Sequence, residues 1–221
     1  MKNQKGFTLI ELMVGLVVGL IVLSAVIYAF ISTLRSSADI VNSVRLNREM
    51  ANISDILVGE LRRSGYWPVT SATNSPFGAT PDIAILPTDG VADTCVLYSY
   101  YNDSVTPEVQ VYRGIAVDSG VIYYSDVVST ALSSATSCDP VGESWPELSN
   151  SKFLQVNSLS LNLTCFDVLT GTSLAYASCR TAGTSTLSRS ISISLEAAVV
   201  SDPEWSSGID EVVKLQNDLS N

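Results

Sequence analysis

The chain has 221 residues, with 12 basic and 22 acidic side chains, no histidine and a formal net charge of −10. The lack of histidine excludes an ordinary histidine-dependent triad and a histidine-ligated metal site. Acid is concentrated late: residues 82–221 hold five basic against seventeen acidic side chains, a formal −12, and such a surface repels phosphate backbones, so no nucleic acid is expected on it.

Residues 5–31 read KGFTLIELMVGLVVGLIVLSAVIYAFI. Residues 12–31 are twenty positions without a charge. As a helix rising about 1.5 Å per residue they span roughly 30 Å, the hydrocarbon thickness of a bilayer. Lys2 and Lys5 precede the run. A basic flank favours the cytoplasmic side, so the chain beyond the span is expected to face outward. The run is longer than the apolar core of a secretory signal, and no A-x-A-like cleavage site comes after it. Glu11 stands at its head. A charge costs about 2.5–3.5 kcal/mol at the centre of an inserted helix and less near its end, so an acid kept there is a functional candidate.

The helix is expected to continue, because no proline occurs before Pro68. Leu46, Met50, Ile53, Leu57 and Leu61 recur at steps of three or four, an apolar stripe made to lie on something. Charged residues such as Arg45, Glu49, Asp55 and Arg62 occupy the other faces. The segment RRSGYWP predicts the stop: basic residues in the last turn, Gly65 as cap, Pro68 just beyond. A helix over residues 7–64 would be nearly 90 Å long, at about 1.5 Å per residue. Gly15 and Gly19, four apart, permit close approach of another helix.

Residues 69–81 are rich in Ser, Thr, Pro and Gly and read as an irregular connection. The remainder of the chain reads as β. Residues 94–102, 108–113 and 120–127 are dense in aromatic and β-branched side chains. Residues 158–166 and 188–200 alternate strictly, with Leu159, Leu161, Leu163 and Cys165 on one face of the first and Ile191, Ile193 and Leu195 on one face of the second. Such alternation marks half-buried, usually antiparallel strands. Tyr98, Tyr100, Tyr101, Tyr123 and Tyr124 are read as sheet residues with wet hydroxyls in preference to a sugar-binding platform.

Cys95, Cys138, Cys165 and Cys179 form no C-x-x-C pair, which argues against a zinc ribbon or a thioredoxin-like site. Their even number suggests disulfides in an oxidising compartment. Four cysteines allow three pairings; Cys95–Cys138 and Cys165–Cys179 close the shorter loops and are favoured. The second loop, about fifteen residues, would stabilise by roughly 3 kcal/mol. No cofactor is expected. Asp82, Asp89 and Asp93 flank a glycine-containing loop whose oxygens would suit Ca²⁺, without the spacing of an EF-hand.

KGFTLIEL resembles the processing signal of type IV prepilins and type II secretion pseudopilins. The resemblance implies that a membrane peptidase cuts after Gly6 and N-methylates the new terminus at Phe7. Glycine at the cut lets an extended backbone lie close in the peptidase cleft. It further implies that Glu11 meets the positive terminus of a neighbouring subunit and so fixes axial register, although one helical turn also lets it pair with its own. The implied fold is α+β: a leader at 1–6, a transmembrane and filament-core helix at 7–31, an amphipathic stalk at 32–66, and a β-rich antiparallel head at 67–221. Many major pilins carry a helix-bending proline in the front half, and its absence here favours a minor pilin or pseudopilin. ELRRSGYW at the helix end resembles PilW-type minor pilins, and pseudopilin J is similar in outline.

The expected function is therefore structural and without catalysis: a minor pilin that helps to initiate or cap a type IV pilus. The alternatives are a J-like secretion pseudopilin and an adhesive or ligand-binding head. Expected partners are other minor and major pilins through the N-terminal helix, the prepilin peptidase, and the inner membrane before assembly. The head would face the periplasm and later the cell surface.

Overall fold

The structure is a computed structural model that describes residues 8–66, 81–88, 90–102, 104, 109–125, 135–179 and 187–215. Helix α1 (Leu9–Leu61) has 53 residues, and its sequence changes character along its length. In the front part apolar side chains point all round, and its hydroxyls turn inward on the backbone. Ser24, Thr33 and Ser37 donate to the carbonyls of Leu20, Ala29 and Thr33 at 2.7, 2.9 and 2.8 Å. Such bonds satisfy a hydroxyl where no water is at hand. In the back part Leu46, Met50, Ile53, Leu57 and Leu61 are buried, and they are the stripe that the spacing predicts. The chain divides between Arg45 and Leu46 into two compact units.

Helix α1 stops at Leu61, three residues earlier than the cap signals suggest. Arg63 N–H donates to Glu60 O and Ser64 N–H to Leu61 O, at 3.1 and 3.0 Å, so the backbone tightens into three-residue turns. Hydrogen bonds to residues 99 and 101 take over beyond them. Gly65, at φ +75°, donates to Ser99 O at 2.9 Å, and Tyr101 N–H donates to Tyr66 O at 2.8 Å. The glycine supplies the left-handed backbone that this switch requires.

The first sheet is an antiparallel meander of β1 (Ile83–Thr88), β2 (Val91–Asn102), β3 (Val109–Asp118) and β4 (Val121–Ser125). Ser119 and Gly120, at φ +50° and +79°, close the β3–β4 hairpin. Two successive positive φ values are what a tight type I′ hairpin turn demands. The second sheet contains β5 (Leu154–Asp167), β6 (Thr172–Leu174), β7 (Leu187–Val199) and β8 (Asp202–Lys214), in the order β6-β5-β7-β8 and antiparallel throughout. A single turn of helix, α2 (Tyr176–Cys179), comes after β6. A bulge between Val156 and Ser158 shifts the register of β5, so its inward positions change from even to odd numbers.

The strands expected from aromatic density and alternation correspond to β2, β3, β4, β5 and β7. Among the described residues the head is thus two sheets, with β1, β6, α2 and β8 in addition to those segments. Pro203, Gly208 and four acids disguise β8. It forms nonetheless because it lies at a sheet edge, where proline and glycine are tolerated.

One core joins the stripe of α1 to Tyr98 and Ile115 of the first sheet and to Leu159, Leu163, Ile193 and Leu195 of the second. Each fully buried aliphatic side chain contributes about 1.5–3 kcal/mol. A smaller cluster around Leu86, Leu97 and Trp145 contains the Cys95–Cys138 disulfide. There the Trp145 ring lies so close over Gly114 that an added Cβ would overlap it. Cys165 on β5 is bonded to Cys179 of α2, so all four cysteines are in disulfides.

Candidate functional site

Thr8 immediately precedes α1, and Glu11 lies in its first turn. The Thr8 N–H and the Thr8 Oγ1 hydroxyl both donate to Glu11 Oε2 at 2.9 Å. In return Glu11 N–H donates to Thr8 Oγ1 at 3.4 Å. This reciprocal exchange is a capping box. It satisfies donors that a helix start otherwise leaves open and sets a negative charge where the helix dipole favours one. The carboxylate is therefore not simply a charge at the edge of an apolar run. The cue is legible as T-L-I-E, the S/T-x-x-E spacing, and a reading of Glu11 as a charge alone overlooks Thr8. Both bonds fall on Oε2, so Oε1 takes neither. Gly6 and Phe7 lie outside the described residues.

Behind this cap the helix is long and apolar enough to cross a membrane, and the whole of its most apolar stretch is uncovered. Large apolar side chains from Leu9 to Val44 are exposed. A Cβ at Gly15 or Gly19 would meet nothing within 4 Å. The two glycines thus leave room for the backbone of a helix from elsewhere.

The head holds its polar groups differently. Arg189 is 1 % exposed and Asp82 is 0 % exposed. Arg189 Nη1 donates to Asp82 Oδ1 at 2.8 Å and Nη2 to Oδ2 at 3.0 Å, while Nη1 also donates to the Cys179 carbonyl at 3.3 Å. This bidentate pair ties the residue ahead of β1 to β7 and to the disulfide-bearing α2. Arg189 had a sequence signal: in SRSISIS it falls on the same phase as Ile191 and Ile193, where an arginine needs a buried partner. Both oxygens of Asp82, a Ca²⁺ candidate by its sequence neighbourhood, are committed to Arg189. Asp89 and the side chain of Asp93 lie outside what is described, and among the described residues no group of three or more His, Cys, Asp or Glu is arranged to hold a metal ion.

The tyrosines are built into the head. Tyr98 is buried and donates to Glu60 Oε2 at 2.9 Å, and Tyr124 donates to the same oxygen at 3.4 Å. Burial pushes the Tyr98 phenol far above its ordinary range, and the Glu60 charge adds to the effect. Arg63, 3.1 Å from Glu60, has its pKa raised by that carboxylate. Beside this group an open cleft of about 570 Å³ is lined by Arg63, Tyr66, Tyr100, Tyr101 and Arg113.

Two family models match the chain. The model described as a prokaryotic N-terminal methylation motif covers residues 1–27. The model described as prepilin peptidase-dependent protein B covers residues 39–215. No curated protein and no solved structure matches. The two models meet the geometry at both ends: the first takes in the capped start of α1, and the second takes in the stripe and both sheets. A capped apolar helix with an N-terminal methylation motif, joined to this head, makes the chain a member of the prepilin peptidase-dependent protein B family of type IV pilin-like proteins.

Proposed function

We propose that the chain is a PilW-type minor pilin, a structural subunit that helps to initiate or cap a type IV pilus. The observation that carries this reading is the exposed apolar surface of the front part of α1, which is uncovered among the described residues. A helix that is apolar all round, with glycines open to a neighbour, is suited first to lipid and then to the packed helices of a filament. In this reading the peptidase removes residues 1–6 and methylates Phe7, and the head stands on the periplasmic side before assembly. The new amine is one residue ahead of Thr8. Glu11 Oε1 then accepts the amine of an adjacent subunit while Oε2 keeps the cap, so that two charges leave lipid together and axial register is set. Catalysis has no part in it.

Deletion tests the assignment. Loss of surface pili with normal release of secreted enzymes supports it. The reverse pattern identifies a J-like pseudopilin of type II secretion, and intact pili that no longer adhere identify an adhesive head. N-terminal sequencing of sheared filaments tests the processing step: a subunit that still begins at Met1 would overturn it.

A further inference from the structure

The outer face of the second sheet carries side chains that assembly through α1 does not use. Cross-strand pairing sets two rows side by side: Asp210, Ser194 and Ser160 in one, Val212, Ser192 and Asn162 in the next. All are at least partly exposed, Val212 to 70 %. In the adjoining row Thr164 and Ser190 hydrogen-bond to one another at 3.0 Å. In the two central rows, by contrast, the polar side chains have no hydrogen-bond partner among the described residues. These six side chains line a shallow cleft of about 190 Å³, with room for a single sugar ring. Ser160 and Asn162 also line a second cleft of about 400 Å³, which leads to Tyr176. That tyrosine is held in place: its hydroxyl accepts from Ile85 N–H at 2.7 Å and donates to Ile85 O at 3.2 Å.

We propose that this track, from Asp210 across Ser194, Ser160 and Asn162 to Tyr176, binds a neutral glycan. A carboxylate accepts from two adjacent hydroxyls at once, and an amide donates and accepts together, so Asp210 and Asn162, two strands apart, each match a different pair of neighbouring hydroxyls. The serines supply further donors and acceptors on side chains with little rotamer freedom to lose. Val212 and the fixed Tyr176 ring offer apolar surface to the C–H face of a sugar. Other occupants fit poorly. Protein interfaces centre on aromatic, arginine and other large anchors, which the two rows lack. Nucleic acid needs cations where Asp210 stands. Mere solvation would be met as well by Lys or Glu, whereas Asn is a poor strand former and gains nothing there unless its amide is used.

This proposal is independent of the assembly role and is tested separately. Full-length protein in lipid nanodiscs is titrated with the methyl glycosides of glucose, galactose, mannose and N-acetylglucosamine and followed by saturation-transfer NMR. At least one is expected to bind in the millimolar range, and Asp210→Ala and Asn162→Ala should each weaken it tenfold or more. Arg63→Ala, in the other cleft, should leave it unchanged. Near-ultraviolet circular dichroism checks that the variants keep the parent fold. The proposal fails if no glycoside binds, or if both variants bind as the parent does. It also fails if Ser194→Arg blocks entry into filaments while no glycoside binds, because the face would then be a contact between subunits.

Discussion

The two ends of α1 are one helix built for two surroundings. Leu16 is 65 % exposed and Leu57 is 2 % exposed. The back end obeys the rule for a helix on a globular core: apolar residues every third or fourth position, charges elsewhere. The front end is apolar all round, and its large apolar side chains are exposed among the described residues. Each end therefore takes its stability from a different source. Residues from Leu46 onward are stabilised by the chain's own sheets. Residues before it have no such cover among the described residues, and the proposed assembly would supply it from lipid and then from other subunits.

The sharpest way to break this contrast is to attack the head alone. Asp82→Ala leaves the Arg189 guanidinium buried without its carboxylate and should cost about 3–5 kcal/mol. Thermal unfolding of the sheets should show it, while membrane insertion of the front helix is unchanged. Replacing both partners, as Asp82→Leu with Arg189→Met, should recover most of the loss. A double variant as unstable as Asp82→Ala would mean that the pair does more than satisfy itself.

A paired truncation sharpens the same contrast. Leu57→Ala opens a cavity and should cost about 2–5 kcal/mol, lowering the melting midpoint by roughly 4–20 °C. Leu16→Ala should leave that midpoint where it is and act only on filament entry. Equal effects of the two on melting would mean that the front half is also covered by its own chain.

The smallest expected change in stability separates the two roles of Glu11. Thr8→Ala removes the cap, at about 1 kcal/mol, but keeps the charge. Glu11→Gln keeps the cap, because glutamine serves equally in a capping box, but removes the charge. If the charge sets register, Glu11→Gln subunits should be processed yet enter filaments poorly, and Thr8→Ala subunits should enter normally. The opposite result, scored by the amount of subunit in sheared pili, would make Glu11 a helix cap and nothing more.

Much of this was open to a reading of residues. The stripe on α1 and the strands β5 and β7 are legible from local periodicity, and periodicity is written in consecutive residues. β8 was hidden because its acids, Pro203 and Gly208 suit an edge position, and a position within a sheet is not a local property. The first sheet's β1 escaped for a related reason: proline and threonine close it before any alternation is established. At the candidate site the acid was conspicuous, while its partner Thr8 required attention to spacing.

The long helix, its two kinds of surface, the motif around Gly6, Phe7 and Glu11, and a β-rich head are all written in consecutive residues, because each rests on neighbours along the chain. Folding in space was needed to show that the described head forms two sheets, that Asp82 belongs to Arg189, and that β5, β7 and β8 set Asn162, Ser194 and Asp210 on one face. Those pairings join residues that lie many positions apart, Asp82 and Arg189 by 107. Burial and strand register, which no local pattern encodes, bring them together.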